Sequence, residues 1–180
     1  MRLLNLGLKF SKIIFYTKSN LKKMKIIKWI LFFLLKLNKT IMKRYYYGLN
    51  KTTRIELPLT INYKSQLKIG ENCFIGKYSF FDCMGGLSIG DNTLIASNVF
   101  ITTRNHIYSG ENNINEQGFE IKEVIIGSGC WLGHGVIVLP GRIIGDRSIV
   151  AAGSIVTKNI GENQIWGGNP AKFIKLRNSF

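Results

Sequence analysis

Two histidines, His106 and His134, are the side chains best suited to move a proton near neutral pH. His106 stands in the stretch TTRNHIY, where a regular run of short apolar repeats stops. An imidazole that faces outward beside a loop can act as a general base and take the proton of an attacking hydroxyl. The alternative is that His106 only fills a position in the repeat.

Two polar side chains near His106 could assist it. Asp82, in the stretch FFDCMGG, could orient the imidazole or hold an acceptor hydroxyl, and the alternative is a polar turn residue. Asn105 is a weaker candidate for the same task. The three cysteines show no CxxC spacing, which argues against a disulfide scaffold or a zinc site. We therefore expect small buried thiols at positions 73, 83 and 130.

A six-residue repeat must position these side chains. The chain divides into lines of six, most of them headed by an aliphatic residue or Phe, which stand at positions 69, 75, 81, 89, 95, 101, 107, 126, 132, 138, 144, 150 and 156. The residue two before each heading residue is mostly small, and alternation along a strand puts both on one face. Six residues suit a short strand and a tight turn. Three lines therefore close one coil of a β-helix, and we expect four to five coils.

The residues just before the heading positions should point outward. They are Phe74, Phe80, Leu94, Phe100, His106, Trp131, Ile137, Ile143, Ile149 and Ile155. Nine of these ten are apolar, which predicts subunit packing because a monomer rarely displays so many large apolar side chains. After His106 the polar stretch 108–123 must leave the coil as a loop, and such loops often carry function.

The first third of the chain is strongly basic. Residues 1–55 carry fourteen Lys or Arg and no acid, whereas residues 56–180 carry eleven bases and ten acids. The apolar run at 29–35 is too short to cross a hydrocarbon core of about 30 Å. It also lacks the cleavage site of a secretory signal. We predict a basic, apolar, helical segment over 1–56 in a cytoplasmic protein.

Three alternative roles are open to this segment. A basic apolar helix can lie on an anionic membrane, here the inner face of the cell membrane, with its lysines near the headgroups. A core or trimer-contact helix with a solvated basic face is the second alternative. Nucleic acid is disfavoured, because the charges flank aliphatic residues instead of exposed polar and aromatic contacts.

The C-terminal part carries the most specific pattern. The stretch from IGSGCWLGHG to VTKNI, followed by GGNPAKFIK, resembles the C-terminal motif of galactoside and maltose O-acetyltransferases almost without gaps. TTRNH matches the T-x-x-H segment of these enzymes. The chain is thus similar to the hexapeptide-repeat acyltransferases over about residues 69–175. The resemblance implies an all-β fold, a left-handed parallel β-helix over 57–180 with a short C-terminal extension, and a closed homotrimer.

The same resemblance implies an activity and a set of contacts. The activity is acetyl-CoA-dependent O-acetylation of a sugar, with His106 as catalytic base and no metal. At the matching positions of this sequence, the resemblance implies contacts with coenzyme A by His134, Ala152, Thr157, Lys172 and Lys175. Trp131 would form an apolar wall of the same groove. A purely structural His134 is the alternative there. Because the basic residues are concentrated in an apolar N-terminal segment that could lie on a membrane, we also expect a substrate in surface polysaccharide biosynthesis.

Other classes fit the sequence less well. A zinc carbonic anhydrase on a similar fold needs three histidine ligands, and this chain has two histidines. A non-catalytic β-helix scaffold recruited to a membrane surface remains the alternative from a different class. The position of His106 at the break of the repeat argues against a scaffold.

Overall fold

We describe the protein from a computed structural model, which describes residues 52–177. The chain divides into two units, Met1–Gly48 and Leu49–Phe180, and all described residues belong to the second. Most of the predicted helical segment over 1–56 therefore lies outside the described residues. Its described end is not helical, because Arg54–Ile55 forms the first strand of the second unit.

Short strands wind into a prism with three faces. The first face holds parallel strands β1 (Arg54–Ile55), β4 (Phe74–Ile75), β7 (Leu94–Ile95), β12 (Trp131–Leu132), β15 (Ile149–Val150) and β17 (Gln164–Gly167), with antiparallel β18 (Lys172–Leu176) at its edge. The second face holds β2 (Leu59–Asn62), β5 (Ser79–Asp82), β8 (Phe100–Thr102), β13 (Ile137–Val138) and β16 (Ile155–Val156). The third face holds β3 (Leu67–Ile69), β6 (Leu87–Ile89), β11 (Val124–Ile126) and β14 (Ile143–Ile144). Each coil passes through the three faces in this order.

Three further elements lie outside these faces. β9 (Arg104–His106) and β10 (Phe119–Ile121) pair only with each other. Two single-turn 3₁₀ helices, Lys64–Gln66 and Ile114–Glu116, complete the elements of the described residues. No helix in this part of the chain is long and apolar enough to cross a membrane.

The solenoid begins one coil earlier than the repeat predicts. Five coils and the first strand of a sixth are present, against the four to five that we expected. The additional coil spans residues 54–69 and keeps the spacing of the next coil, since Ile55, Ile61 and Ile69 pair with Ile75, Phe81 and Ile89. Its corners contain Pro58 and Tyr63 and no glycine. Ile55 and Leu59 nevertheless fill its interior, at 5% and 7% exposure.

The interior confirms the predicted frame. Heading residues such as Ile75, Phe81 and Leu132 are fully buried. The predicted small partners are buried as well, and they are Cys73, Ser79, Thr93, Val99, Cys130, Val136, Ser148 and Ser154. Their hydroxyls are satisfied by the main chain; Thr93 Oγ1, for example, donates to Gly127 O at 2.8 Å. Two predicted heading residues are only half-buried: Ile69, which lies in β3, and Ile107, which lies beyond β9 and outside the strands of the prism.

Glycine and asparagine occupy the corners for two physical reasons. A Cβ on Gly90 would lie 2.6 Å from the backbone nitrogen of Ser128, so the two coils can approach this closely at this corner because a glycine stands there. Asn72, Asn92 and Asn98 have φ near +57°, a conformation that asparagine tolerates better than most residues. The short turns predicted from the sequence therefore form.

The outer faces carry the predicted apolar side chains. Phe80 and Phe100 stack in parallel on adjacent coils, with ring centroids 5.1 Å apart. Leu94, Trp131 and Ile143 are between 42% and 49% exposed. Large apolar side chains thus stand on all three outer faces within the described residues, and Phe80 and Phe100 form an outer apolar column on the second face.

Candidate active site

The interruption of the repeat is a β-hairpin, which we call the arm (residues 104–121). β9 and β10 pair antiparallel, with His106 opposite Phe119 and Arg104 opposite Ile121. The arm leaves the corner between the second and third faces in the third coil. It begins four residues before the loop predicted at 108–123. The prediction that His106 stands at an outward position of a coil is therefore wrong, because β9 pairs with no strand of the prism.

The base of the arm is fixed by main-chain hydrogen bonds. Thr103 is fully buried, and its Oγ1 donates to Asp82 O at 2.9 Å and accepts from Gly85 N at 2.7 Å. Lys122 N donates to Thr103 O at 2.8 Å on the returning strand. A Cβ on Gly85 would lie 2.7 Å from Ile121 Cγ2, so this glycine lets the arm close onto the coil below.

The hairpin register places the His106 imidazole against a phenyl ring. Main-chain bonds from Lys122 N to Thr103 O and from Ile107 N to Gly118 O make His106 and Phe119 a non-hydrogen-bonded pair. Side chains approach more closely in such pairs. The two ring centroids are 4.4 Å apart, with the planes tilted by 44°. His106 remains exposed, so its ring nitrogens can reach a ligand.

Asp82 contacts Arg104 and not His106. The Asp82 side chain is 7% exposed, and its Oδ2 accepts a hydrogen bond from Arg104 Nε at 2.7 Å. The second oxygen, Oδ1, is buried, and no donor among the described residues reaches it. The guanidinium lies over the rings of Phe119 and Tyr63, at 4.5 and 5.5 Å from their centroids.

Sequence reasoning missed Arg104, Phe119 and Tyr63. Alternation could have indicated Arg104, because residues two apart share a face once TTRNH is taken as a strand. The position of Phe119 depends on the register of the hairpin, and the position of Tyr63 depends on the first coil, which the predicted repeat did not include. No pattern in the sequence indicates either one.

Asn105 points to the opposite face of the arm. It lines a polar cleft of about 160 Å³ between the arm and the corner that joins the second and third faces. The cleft is bounded by Asn105, Glu120, Lys122, Leu139, Pro140, Arg142 and Thr157. Lys122 pairs with Glu120 at 2.6 Å, and Arg142 donates to Thr157 O at 2.9 Å. The structure therefore brings Asn105 near Thr157 and away from His106.

The remaining predicted residues lie at other places. His134 and Ala152 are exposed at the corner between the first and second faces, where Gly153 N donates to His134 O at 2.8 Å. His134 Nε2 is also 3.3 Å from Asn98 Nδ2. Trp131 is 49% exposed on the outside of the first face. Lys172 and Lys175 are exposed on β18.

Comparisons with known proteins agree with this architecture. Residues 66–103 match the family described as hexapeptide repeat of succinyl-transferase, and residues 123–158 match bacterial transferase hexapeptide (six repeats). The arm lies between the two matches. WbbJ of Escherichia coli (strain K12), a candidate lipopolysaccharide biosynthesis O-acetyl transferase, is 36% identical over 73% of this chain and 71% of its own. The chain belongs to the hexapeptide-repeat acyltransferase family.

Solved structures of this family show the same fold. A maltose O-acetyltransferase from Clostridium difficile 630 is 34% identical, with a TM-score of 0.68 over 73% of this chain and 70% of its own. A galactoside acetyltransferase in complex with coenzyme A is 28% identical, with a TM-score of 0.65 over 78% of this chain and 79% of its own. The predicted all-β, left-handed parallel β-helix is thereby confirmed.

The cysteines of this hexapeptide-repeat acyltransferase are buried, as we expected. Burial, and to a smaller extent the neighbouring Asp82 carboxylate, raises the pKa of the Cys83 thiol to about 12. Burial also raises the pKa of Cys73 and of Cys130. All three are therefore protonated at neutral pH, and none offers a thiolate nucleophile. No group of three or more metal-binding side chains comes together within residues 52–177.

Proposed function

We propose that this protein is an acetyl-CoA-dependent O-acetyltransferase that acts on a sugar hydroxyl in surface polysaccharide biosynthesis. The observation that carries the proposal is the exposed His106 imidazole, held on the arm at a corner of a hexapeptide β-helix. The relatives named for O-acetyl transfer to maltose and galactoside and in lipopolysaccharide biosynthesis support the substrate class.

His106 acts as the general base in this proposal. Acetyl-CoA supplies an activated acyl group. The neutral imidazole accepts the proton of the acceptor hydroxyl while the oxygen bonds to the acyl carbonyl carbon and the carbon–sulfur bond breaks. The proton then passes from the imidazolium to the departing thiolate, so the base is regenerated. The high pKa of the buried Cys83 thiol favours this direct transfer over a covalent acyl-enzyme.

The residues proposed to bind coenzyme A suit its chemistry. Ala152 and Gly153 are exposed, and a Cβ on Gly153 would meet nothing within 4 Å, so a pantetheine arm can approach the main chain there. Trp131 offers a large apolar wall. Lys172 and Lys175 are exposed cations that can meet phosphate groups.

The distribution of these residues supports a homotrimer. His106 and Thr157 belong to the corner between the second and third faces, whereas His134 and Ala152 belong to the corner between the first and second faces. In an oligomer, the corner of one chain that carries His134 and Ala152 can lie against the corner of the next chain that carries His106 and Thr157. Three such contacts close a ring and complete three sites.

Light scattering on purified full-length protein tests the homotrimer. We expect a mass of about 61 kDa, three times the 20.4 kDa of the chain. Phe100→Glu places a charge in the exposed apolar column and should lower this mass if that column is the contact surface. A monomeric wild-type protein with full activity would contradict the shared site.

The activity test is release of free coenzyme A thiol from acetyl-CoA across a panel of sugars and nucleotide sugars. Galactosides and maltose belong in the panel because relatives are named for them. Succinyl-CoA is the comparison donor. Acceptor-dependent thiol release from acetyl-CoA supports the proposal, and its absence with every acceptor would favour the scaffold.

We also propose that the basic N-terminal segment docks on an anionic membrane surface. Substituting Lys22, Lys23 and Lys25 by Gln in the full-length chain should weaken binding to phosphatidylglycerol vesicles, because each lysine near such a surface contributes roughly 1 kcal/mol. The matched control replaces three exposed lysines of the second unit, which are Lys68, Lys77 and Lys158. Equal binding of both variants, or no binding of the wild type in cosedimentation, would contradict membrane docking.

A further inference from the structure

The arm carries an arginine that the proposed chemistry does not use. Arg104 lies two residues before His106 and therefore on the same face of β9. Its guanidinium lies 4.5 Å from the Phe119 ring centroid, and the His106 ring packs on the same phenyl ring at 4.4 Å. Phe119 is thus in contact with both the guanidinium and the imidazole.

Arg104 is fixed in turn by two earlier coils of the prism. Its Nε donates to Asp82 Oδ2 at 2.7 Å, and its Nη1 lies 3.6 Å from Met84 Sδ. The Tyr63 ring contributes a further cation–π contact at 5.5 Å. Because the Asp82 side chain is only 7% exposed, water screens this ion pair far less than it screens a surface pair.

The arm needs such an anchor. β9 and β10 are three residues long, and a two-stranded hairpin of this size is marginally stable by itself in water. The hydrogen bonds of Thr103 lie at the base of the arm and do not contact its side chains. The ion pair with Asp82 and the contacts with Met84 and Tyr63 restrict the angle between the arm and the prism.

We propose that Arg104 is a positioning residue for His106. Anchored by Asp82, it holds Phe119 in place, and Phe119 orients the imidazole toward the acceptor hydroxyl. The inference rests on the proposed function, since it takes His106 as the base. Asp82 acts here through Arg104, because Oδ2 is occupied by the guanidinium and Oδ1 is buried.

The kinetic test uses R104Q in the full-length enzyme with acetyl-CoA and the best acceptor of the panel. We expect kcat to fall by about 10- to 100-fold, the effect of a small misplacement of a reacting group, with KM for acetyl-CoA unchanged. R104K should be impaired as well, since an ammonium lacks the planar stacking surface and the fork of donors. D82N/R104Q avoids an unpaired buried carboxylate and should show the same kcat loss if R104Q folds poorly.

The matched control is R54Q. Arg54 also combines an ion pair, with Glu56 at 3.7 Å, and a cation–π contact, with Phe74 at 5.6 Å, but it lies on the first face. Its substitution should leave kcat unchanged. The decisive combination is R104Q/H106A, which should be no slower than H106A alone, because a positioning residue acts only through the base.

A labelling experiment needs no acceptor. Diethyl pyrocarbonate modifies exposed imidazoles, and mass spectrometry resolves His106 from His134 in the same molecule. We expect R104Q to change the rate at His106 and to leave the rate at His134 unchanged. Equal rates at His106 in wild type and R104Q, or additive losses in R104Q/H106A, would overturn the inference. An active H106A would instead overturn the proposed function.

Discussion

His106→Ala is expected to lower kcat for acetyl transfer by at least about 100-fold, the low end of a general-base contribution. The side chain is exposed on the arm and packs on Phe119 only through its ring, so its removal leaves no cavity in the prism. The midpoint of thermal unfolding should therefore stay near that of the wild type. Thiol release from acetyl-CoA with saturating acceptor measures the loss.

His134→Ala is the matched control for this prediction. It removes the other histidine of the chain, which is also exposed but lies at a different corner of the prism. We expect KM for acetyl-CoA to rise while kcat changes little, because His134 is assigned to binding and not to proton transfer. Near-wild-type activity of His106→Ala, or a larger kcat loss in His134→Ala, would rule out the assigned roles.

The repeat predicts the fold because its physical basis is local. Each coil needs a large inward residue, a small inward residue two positions earlier and a corner that accepts close approach. Ile95 with Thr93 and Leu132 with Cys130 satisfy this rule within a few residues of sequence, and all four side chains are buried. This spacing can be recognised in the sequence without knowledge of which coils are neighbours in the fold.

The first coil keeps the spacing of the repeat but not its residue types. Ile55, Ile61 and Ile69 pair with Ile75, Phe81 and Ile89 of the next coil, so the inward positions continue in register. Leu59 pairs with Ser79 and stands in the place of a small residue, and Glu56 follows Ile55 where Gly76 follows Ile75. The solenoid therefore extends to residue 54 although the residue types of its first coil do not reveal it.

The candidate site was only partly predictable because it depends on contacts distant in sequence. The place of His106 at the break of the repeat predicts it as the base, and that role stays a prediction. The ion pair of Asp82 with Arg104 joins residues 22 positions apart, and the stacking with Phe119 depends on the length of the hairpin turn. Asn105, for example, was expected to assist His106. Because adjacent residues of a strand face opposite sides, it lies on the other face of the arm.

Phe81→Ala is expected to lower the free energy of unfolding by about 3–5 kcal/mol, the usual cost of removing a phenyl ring from a core. Phe81 is fully buried and has the largest volume among the fully buried side chains of the described residues. The narrow interior, closed by a sheet on each side, has little freedom to collapse onto the space. Chemical denaturation of full-length protein at fixed concentration measures the loss.

Phe80→Ala tests whether that loss comes from the interior of the prism. The two phenylalanines are adjacent in β5, but Phe80 points outward, is half-buried and stacks on Phe100 at 5.1 Å. An aromatic stack of this kind contributes about 0.5–1.5 kcal/mol beyond its buried area. We therefore expect a clearly smaller loss of stability than for Phe81→Ala. Equal losses would mean that the alternation of inward and outward residues does not set the stability of the coil, and a larger loss for Phe80 would indicate that the outer column is buried in the assembly.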